Sequence, residues 1–563
     1  MVVVLLTWIY YAVILFILGV GVLKALQIGT KEKFSISFNK GIVAGVVVTT
    51  VYAQIFSVFY KVSFIAHMIM VLVAIILLIK FKKEFVAYGK QVYGFIGTWD
   101  CLYWAVLVLA FAFFTSRGTF HADTLIYHAG AVQWIEEYGI VKGLANLQLH
   151  FGYNSAYFAF VALFSLKFLT GVSLHTTTGF IACVFCLWAC HKLKYRNKER
   201  HITTLCSAAM LLYALINVTG FMSPASDYVT NFTAIYIVTR WVELWENGNK
   251  KIEEYAALCL ACVYLLTLKV SGGALALIVL YPAVVLIKNK EWKKIAIYIG
   301  SGLVILLPFL IRNIIISGWL IYPFNAIDLF DVDWKVPEFK VINDSNQIQV
   351  WGKCLYDVTL ADMSLLEWFP IWWEEQPRYN MMLILGNVLA VLLLGVTCIR
   401  NMKINKKLDL AFVSLVLGVI ASGLLWFFMA PFVRYGLAYL LVFPAIAVGE
   451  ALRNEYNKQG VLKVANFYMT LCIFVCITPM IDQYVKDAGV VIKQRILEPY
   501  YIVQMPYEVA ELKTFEVDGV TFYTPESGES LGYAPLPSTA YAFMMEESQL
   551  RGDSFEDGFQ SIF

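Results

Sequence analysis

Residues 119–153 read TFHADTLIYHAGAVQWIEEYGIVKGLANLQLHFGY and form the first long polar interruption in a chain that is otherwise strongly apolar. Apolar residues recur at helical spacing in its first half, at Leu125, Ala129, Val132 and Ile135. Gly139 follows as a stop signal, and Glu136 and Glu137 are expected to be solvated. The pattern predicts an amphipathic helix at the membrane interface, with Asp123 directly before it. An acid held there is where chemistry on a lipid-linked substrate would occur, so Asp123 is the first catalytic candidate.

Composition assigns the chain to the polytopic membrane proteins. Apolar residues make up 60% of its 563 positions, charged residues only 15%, and the mean hydropathy is +0.69. The formal net charge of +3 is small and does not suggest binding to nucleic acid. The eleven cysteines include two CxxC pairs, Cys183/Cys186 and Cys259/Cys262, in apolar runs without His or carboxylate neighbours. We interpret them as packing residues and not as a zinc or redox site.

About fifteen apolar segments are long enough, or nearly long enough, to cross a bilayer. They centre on residues 5–26, 41–60, 62–80, 99–115, 154–170, 173–190, 202–221, 228–245, 254–268, 272–287, 295–316, 381–399, 409–429, 435–451 and 462–480. We therefore expect an all-α membrane protein with about 13–15 transmembrane helices.

Lysine and arginine cluster in short loops, which sets the orientation because basic loops stay on the cytoplasmic side. This rule places the loop 116–153, a second loop 317–380 and the tail 482–563 on the outer face. We expect residues 1–481 to form the transmembrane domain. The tail is then either a small appended domain or a lid over the membrane part.

One conflict remains in this topology. The charges allow only an odd number of crossings between Tyr153 and the basic loop at His191, yet two apolar segments occur there. Either 154–170 or 173–190 should therefore be a short or re-entrant helix, which is tolerable only where protein or water covers its end. The sequence does not decide between them.

Two aspartates face outward in this topology, Asp123 and Asp227, the second in the turn SPASDYVTN. Each can be the N-cap of the helix that follows, although no Glu or Gln stands three residues after Asp123 to complete a capping box. Each can also be a catalytic or ligating carboxylate. Together they could hold a divalent cation such as Mg²⁺ or Mn²⁺, or polarise an acceptor group.

Three cations lie on the same predicted face. Lys269 interrupts the apolar run LLTLKVSGGALAL, where a charge is costly unless it faces a cavity, the interface or an anion. Arg312, in LPFLIRNIIISGWLIYP, and Arg434, in APFVRYG, lie outside, where positive charge is disfavoured. Each cation could anchor at the interface or bind an anion such as a lipid phosphate. The convergence of two acids and three cations on one side favours a site.

Three histidines, His121, His128 and His150, belong to the same polar stretch. Their spacing matches no compact metal site. We expect His128 and Tyr127 to line the binding site for the acceptor instead.

The order of these motifs resembles that of integral-membrane glycosyltransferases of the GT-C superfamily. An acid in the first large outer loop precedes a surface helix, an acid follows a later span in SPASD, a threonine–lysine break reads TLKVSGG, and an arginine–tyrosine pair, Arg434 and Tyr435, opens a late helix. More narrowly, the chain is similar to bacterial multi-span proteins encoded among surface-polysaccharide genes, through segments such as IIISGWLIYP, WFFMAPFVRYG and APLPSTAYAF. It departs from many relatives because Asp123 is followed by Thr124 and not by a second acid, and because the lysine break is not lysine–glycine.

The resemblance implies a GT-C-like fold and transfer of a sugar from a polyprenyl-phosphate-linked donor to a glycan, lipid-linked or protein acceptor. The site would lie on the outer face of the bacterial inner membrane. In such enzymes the outer-loop aspartate commonly acts as general base with inversion at the anomeric carbon, which assigns that role to Asp123. The expected substrate-binding residues are Tyr127, His128, Asp227, Lys269, Arg312, Arg434 and Tyr435, whose cations would neutralise the leaving lipid phosphate.

Two other functions stay open at this point. A polysaccharide polymerase or ligase would also join lipid-linked sugars outside the membrane, with a lipid-linked oligosaccharide as donor. A lipid-linked sugar transporter or flippase would explain the many spans and the helix break at Lys269. It explains less well the large outer loops and the absence of a detectable internal repeat.

Overall fold

The computed structural model describes residues 1–32, 34–95, 98–118, 120–195, 200–403, 409–453, 497, 500–507 and 510–563. Most of this part of the chain is helical, as predicted. Its α-helices are α1 (Val2–Thr30), α2 (Phe38–Phe59), α3 (Phe64–Lys80), α4 (Lys82–Phe95), α5 (Trp99–Arg117), α6 (Ala129–Glu137), α7 (Leu144–Leu147), α8 (Ala156–Phe164), α9 (Lys167–Thr170), α10 (Thr177–Lys194), α11 (His201–Asn217), α12 (Ser226–Glu246), α13 (Ile252–Leu268), α14 (Leu280–Lys288), α15 (Trp292–Ser317), α16 (Glu338–Gly352), α17 (Leu365–Glu374), α18 (Arg378–Lys403), α19 (Leu410–Met429) and α20 (Val433–Arg453).

Within the described ranges, nine helices are long and apolar enough to cross a membrane, and the bent pair α3–α4 would make a tenth. The chain is therefore a multi-pass membrane protein, with fewer candidate spans than the 13–15 expected. The predicted span 462–480 lies outside the described residues. The predicted spans 228–245 and 254–268 are the helices α12 and α13, which do not qualify by length and composition.

The helices α12 and α20 form the centre of the bundle and are buried along most of their length. The burial explains how α12 can carry charges inside an apolar protein. Its Arg240 pairs with Glu243 at 2.5 Å, and the two side chains are only 17% and 5% exposed. Charged groups within a bundle are tolerated when they face the interior and are paired.

The two ends of the bundle are chemically different. At one end, which we call the lysine end, Lys40 at the start of α2 bonds Glu254 at the start of α13 at 2.7 Å. At the other, which we call the aspartate end, Asp227 at the start of α12 pairs with Lys269 just after α13. Since α13 runs from one contact to the other, the two ends lie about 25 Å apart along its axis.

Two apolar segments lie between Tyr153 and the basic loop at His191, where the charges allow only an odd number of crossings. The first of them, 154–170, is the shorter. It forms α8 and α9, which are separated at Leu166 by a left-handed backbone conformation (φ 52°). All nine residues of α8 are buried, so its backbone is covered by protein. The second segment forms the continuous helix α10 of 18 residues. By length and composition neither segment is among the candidate spans, so which of them is re-entrant stays open.

The tail packs against the segment that contains α6 and α7. Its strands β1 (Leu512–Val517) and β2 (Val520–Pro525) form a hairpin closed by Asp518 and Gly519, both with positive φ, and β3 (Ser548–Leu550) pairs with β4 (Phe559–Ser561). Phe522 and Phe559 share one hydrophobic cluster with Trp134 of α6. This segment and the tail therefore bury a common core at the aspartate end.

Candidate functional site

Four segments far apart in the sequence bring charged side chains together at the aspartate end. Asp123 comes from the loop after α5, Asp227 from the start of α12, Lys269 from the break after α13, and Arg434 with Tyr435 from the start of α20. Asp123 contacts Arg434, and Asp227 contacts Lys269. We call these five residues the charge cluster. Seven of the eight residues predicted for the site either belong to it or adjoin it, as described below.

Asp123 does not cap a helix. Its backbone is already helical (φ −59°, ψ −22°), and its side chain makes no capping hydrogen bond. The carboxylate instead accepts a hydrogen bond from Nη2 of Arg434, with Oδ2 at 3.2 Å. Its side chain keeps 28% of its surface exposed, against 14% for Asp227, so Asp123 is the more accessible of the two acids.

His121 links Asp123 to Arg434. Its Nε2 lies 2.7 Å from Nη1 of Arg434, and its Nδ1 lies 3.6 Å from Oδ2 of Asp123. A guanidinium can only donate, so Nε2 accepts from Arg434, and Nδ1 lies 3.1 Å from the backbone N–H of Asp123, which donates to it. Since both ring nitrogens face a donor, their surroundings favour the neutral ring over the imidazolium. Burial lowers the pKa of His121, which favours this neutral form.

Lys269 and Tyr435 form the other half of the charge cluster. Lys269 has an extended backbone (φ −156°, ψ 127°) between α13 and the 3₁₀ turns of Val270–Val279, so the helix break predicted there is present. Its ammonium pairs with Asp227 and lies 3.4 Å from the centre of the Tyr435 ring. The hydroxyl of Tyr435 accepts from Nη2 of Arg434 at 3.0 Å. Tyr435 thus contacts both cations.

Asn231 joins the two helices that supply this chemistry. Its Nδ2 donates to the carbonyl oxygens of Asp227 at 2.9 Å and Arg434 at 3.2 Å, and its Oδ1 accepts from the backbone N–H of Ala438 at 3.1 Å. The sequence analysis did not single out this residue. The only signal was its position, one helical turn after Asp227 in SPASDYVTN.

Tyr127 and His128 lie next to the charge cluster on the helical segment that continues from Asp123. His128 is buried, its Nδ1 lies 2.9 Å from Oγ1 of Thr124, and Thr124 in turn contacts Ser223. Burial lowers the pKa of His128 to about 3, which keeps the ring neutral. The ring of Tyr127 packs edge-on against His128 at 4.3 Å and stacks on His150 at 5.2 Å. These rings form an aromatic wall beside Asp123.

Arg312 takes no part in the charge cluster. It was expected to be exposed near the membrane surface or to bind a phosphate, but only 2% of it is exposed. Its Nε donates to Oδ1 of Asn154 at 3.1 Å, and its Nη1 contacts the hydroxyl of Ser57. The structure thus gives Arg312 neutral partners between α2, α8 and α15, and not a place beside Lys269 and Arg434.

The surface helix also differs from its prediction. Most of α6 is buried, including Glu136, which was expected to be solvated. Glu136 accepts from the hydroxyl of Ser173 at 2.7 Å and from that of Tyr533 in the tail. Burial raises the pKa of Glu136. Glu137 is partly exposed and pairs with Lys167.

Each acid of the charge cluster is paired with a cation, so acids and cations do not separate into two halves as the sequence suggested. No group of three or more His, Cys, Asp or Glu that could hold a metal ion occurs among the described residues. The cations keep donors for a ligand. The hydrogen bonds described above use three of the five N–H groups of Arg434 and one of the three of Lys269.

Residues 1–441 match a protein family described as Domain of unknown function (DUF8201). The chain belongs to the DUF8201 family. The matched region of this DUF8201 protein contains the whole charge cluster, from Asp123 to Tyr435, and ends before the tail. Comparisons with curated proteins and with solved structures gave no match.

Proposed function

We propose that this DUF8201 protein is a membrane glycosyltransferase of GT-C type. It would transfer a sugar from a polyprenyl-phosphate-linked donor to a glycan, lipid-linked or protein acceptor. The observation that carries the proposal is the charge cluster, in which an accessible carboxylate, Asp123, lies beside two cations at one end of a membrane-embedded bundle. The resemblance seen in the sequence supplies the reaction class.

Asp123 is the proposed general base. A hydroxyl of the acceptor would attack the anomeric carbon of the donor sugar while its proton passes to the carboxylate of Asp123. The new C–O bond would form as the bond from that carbon to the phosphate oxygen breaks. The lipid phosphate leaves with the electron pair of the broken bond. Attack opposite the leaving group gives inversion.

Arg434 and Lys269 are the proposed partners of the leaving phosphate. Two N–H groups on each cation remain beyond the hydrogen bonds described, and Tyr435 contacts both cations. Fixed donors stabilise a developing negative charge best where water is scarce. Asp227, which is the more buried acid, would keep the ammonium of Lys269 in place.

The proposal places the aspartate end on the outer face of a bacterial inner membrane, where the distribution of basic loops puts it. Lipids of that membrane would surround the bundle. A divalent cation such as Mg²⁺ or Mn²⁺ could bind between Asp123 and Asp227 only if Arg434 and Lys269 moved away from them. We therefore propose that the cations, and not a metal ion, carry the charge of the phosphate.

The test is a transfer assay on purified protein with polyprenyl-phosphate sugars. We expect Asp123→Asn to lose transfer by at least about a hundredfold, the usual scale for a positioned general base. Asp331→Asn, which changes an exposed acid of the second outer loop, is the matched control and should be as active as the wild type. Equal transfer by folded Asp123→Asn and wild type would overturn the assignment.

Two further measurements separate the alternatives. Flipping of lipid-linked sugars in vesicles without formation of a new glycosidic bond would indicate the transporter. Activity with a lipid-linked oligosaccharide as donor and none with a single lipid-linked sugar would indicate the polymerase or ligase. Transfer that persists in a chelator and is not raised by Mg²⁺ or Mn²⁺ is the result expected from the paired cations.

A further inference from the structure

A cavity of about 610 Å³ opens between the helices at the lysine end of the bundle, away from the charge cluster. Its walls come from the last turns of α1, the first half of α2, the second half of α12, the start of α13 and the first half of α15. The lining is mostly valine, leucine, isoleucine and alanine. Its size is that of a site for a small molecule or a lipid chain.

The surroundings of the cavity are hydrocarbon. Three of the five helices that frame it, α1, α2 and α15, are candidate membrane spans. Apolar residues of its lining, such as Val22 and Val304, are 40% and 59% exposed. A hydrocarbon chain is the occupant that these walls fit, because a polar ligand would lose its hydration without finding partners along them.

The length of the cavity corresponds to one leaflet. Along α2 it extends from Lys40 to Val51, a rise of about 16 Å. Half of the hydrocarbon core of a bilayer is about 15 Å thick. A chain that enters at the lysine end would therefore reach the middle of the membrane, as an acyl chain of a phospholipid does.

The charged residues that line the cavity belong to the lysine end and are already paired. Lys40 bonds Glu254 at 2.7 Å, Arg240 pairs with Glu243 at 2.5 Å, and Glu253 pairs with Lys294 at 3.1 Å. A charged headgroup would gain little from cations that are neutralised in this way.

We infer that this cavity is a binding site for an acyl chain of a phospholipid from the leaflet at the lysine end. The site selects the hydrocarbon chain, and not the charge of the headgroup. It is separate from the charge cluster because α13 puts the two ends of the bundle about 25 Å apart. The inference does not depend on the proposed transfer reaction.

Gly300 offers a way to fill the cavity. This residue of α15 lines the cavity, and a Cβ placed on it would meet no atom within 4 Å. Gly395 of α18 has the same free space around its Cβ and does not line the cavity. Both glycines lie in candidate spans. Gly300→Phe should therefore block the chain, and Gly395→Phe is its matched control.

The experiment uses the full chain in nanodiscs of phosphatidylcholine that contain phosphatidylcholine with a photoreactive diazirine on the acyl chain. We expect the label on peptides that contain residues 40–51 and 296–305, its loss in Gly300→Phe, and its retention in Gly395→Phe. An anionic phosphatidylglycerol probe should label these peptides to the same extent as phosphatidylcholine. Gly300→Leu repeats the test with a smaller side chain if the phenylalanine variant does not fold.

Three results would overturn the inference. The first is label spread evenly over the lipid-facing helices and unchanged by Gly300→Phe. The second is a strong preference for the anionic probe. The third is displacement of the label by polyprenyl phosphate, which would make the cavity part of the path of the proposed donor. None of these readouts requires the protein to transfer a sugar, so failure of the proposed function is recognised separately.

Discussion

The carboxylate of Asp227 and the ammonium of Lys269 form an ion pair between the start of α12 and the break after α13. The two side chains are 14% and 29% exposed, so water screens them only in part. Removing the cation leaves a carboxylate in a mostly buried place, which costs more than removing both charges.

The first prediction follows from this asymmetry. Lys269→Met should destabilise the protein by about 1–3 kcal/mol, the cost of an unsatisfied charged group discounted for its partial exposure. The double variant Asp227→Asn/Lys269→Met should recover part of that loss. Unfolding of the four proteins of this cycle, followed in the same detergent, measures the coupling. Additive effects of the two single changes would show that the pair contributes nothing to stability.

The second prediction concerns the fork of Arg434. Its guanidinium contacts His121, Asp123 and Tyr435 at the same time, and a lysine cannot reproduce this planar geometry. If the proposed function holds, Arg434→Lys should lower kcat/KM for sugar transfer by about a hundredfold, as loss of one oriented donor commonly does.

Arg551→Lys is the control for that variant. Arg551 donates from two nitrogens to Asp333, at 3.0 and 2.7 Å, in the tail and the second outer loop. It makes the same kind of contact away from the charge cluster, so it should leave kcat/KM unchanged. A common loss in both variants would point to stability and not to the leaving phosphate.

The third prediction concerns how the free energy of unfolding depends on pH. Asp344 of α16 is buried and accepts a hydrogen bond from the hydroxyl of Tyr153 at 2.7 Å. Burial raises its pKa to about 6, above the value of 3.8 for an exposed aspartate. The folded protein therefore holds this proton more tightly than the unfolded chain. The contribution of Asp344 to stability falls as pH rises from about 4 to about 6 and stays unfavourable above that.

Asp344→Asn keeps an oxygen to accept from Tyr153 and removes the charge. It should stabilise the protein at pH 7 by up to about 3 kcal/mol, at 1.4 kcal/mol for each unit of the shift. The gain should disappear near pH 4. Thermal unfolding of variant and wild type across this range measures the difference, with Asp331→Asn as an exposed control. Parallel pH profiles for wild type and Asp344→Asn would contradict the assignment.

How much of this could be predicted from the sequence depends on whether a property is local. Apolar runs predicted a helical, multi-pass protein because hydrocarbon accepts little else. The same runs overestimated the number of spans, since a helix such as α12 that is wrapped in protein resembles one that faces lipid. The Asp518–Gly519 hairpin turn was a local signal in the tail and could have been identified from the sequence.

The partners of the charges were not predictable in the same way. Comparison of each charge with the predicted topology identified Asp123, Asp227, Lys269 and Arg434, because a charged side chain is costly at each of these positions. The same comparison gave equal weight to Arg312, whose partners are Ser57 of α2 and Asn154 just before α8. Which acid pairs with which cation depends on how α12, α13 and α20 pack, and no spacing in the chain encodes that.

The fourth prediction tests the link made by His121. The neutral ring accepts from Arg434 through Nε2, and protonation would turn both ring nitrogens into donors and add a positive charge beside Arg434. Burial lowers the pKa of His121 below its ordinary value of 6.5, while Asp123 and Asp227 oppose the shift and Arg434 and Lys269 reinforce it. The contact is therefore present at neutral pH and is lost as pH falls through that lowered pKa. Under the proposed function, the rate of transfer should therefore fall as pH is lowered through this pKa.

His121→Gln keeps an oxygen to accept from Arg434 and cannot be protonated in this range. It should therefore retain transfer at pH 7 and lack this fall in rate at acid pH, the acid limb of the profile. Transfer rates of both proteins from pH 4 to 8 measure this. An identical acid limb in His121→Gln would show that another group, such as a carboxylate, sets the pH dependence.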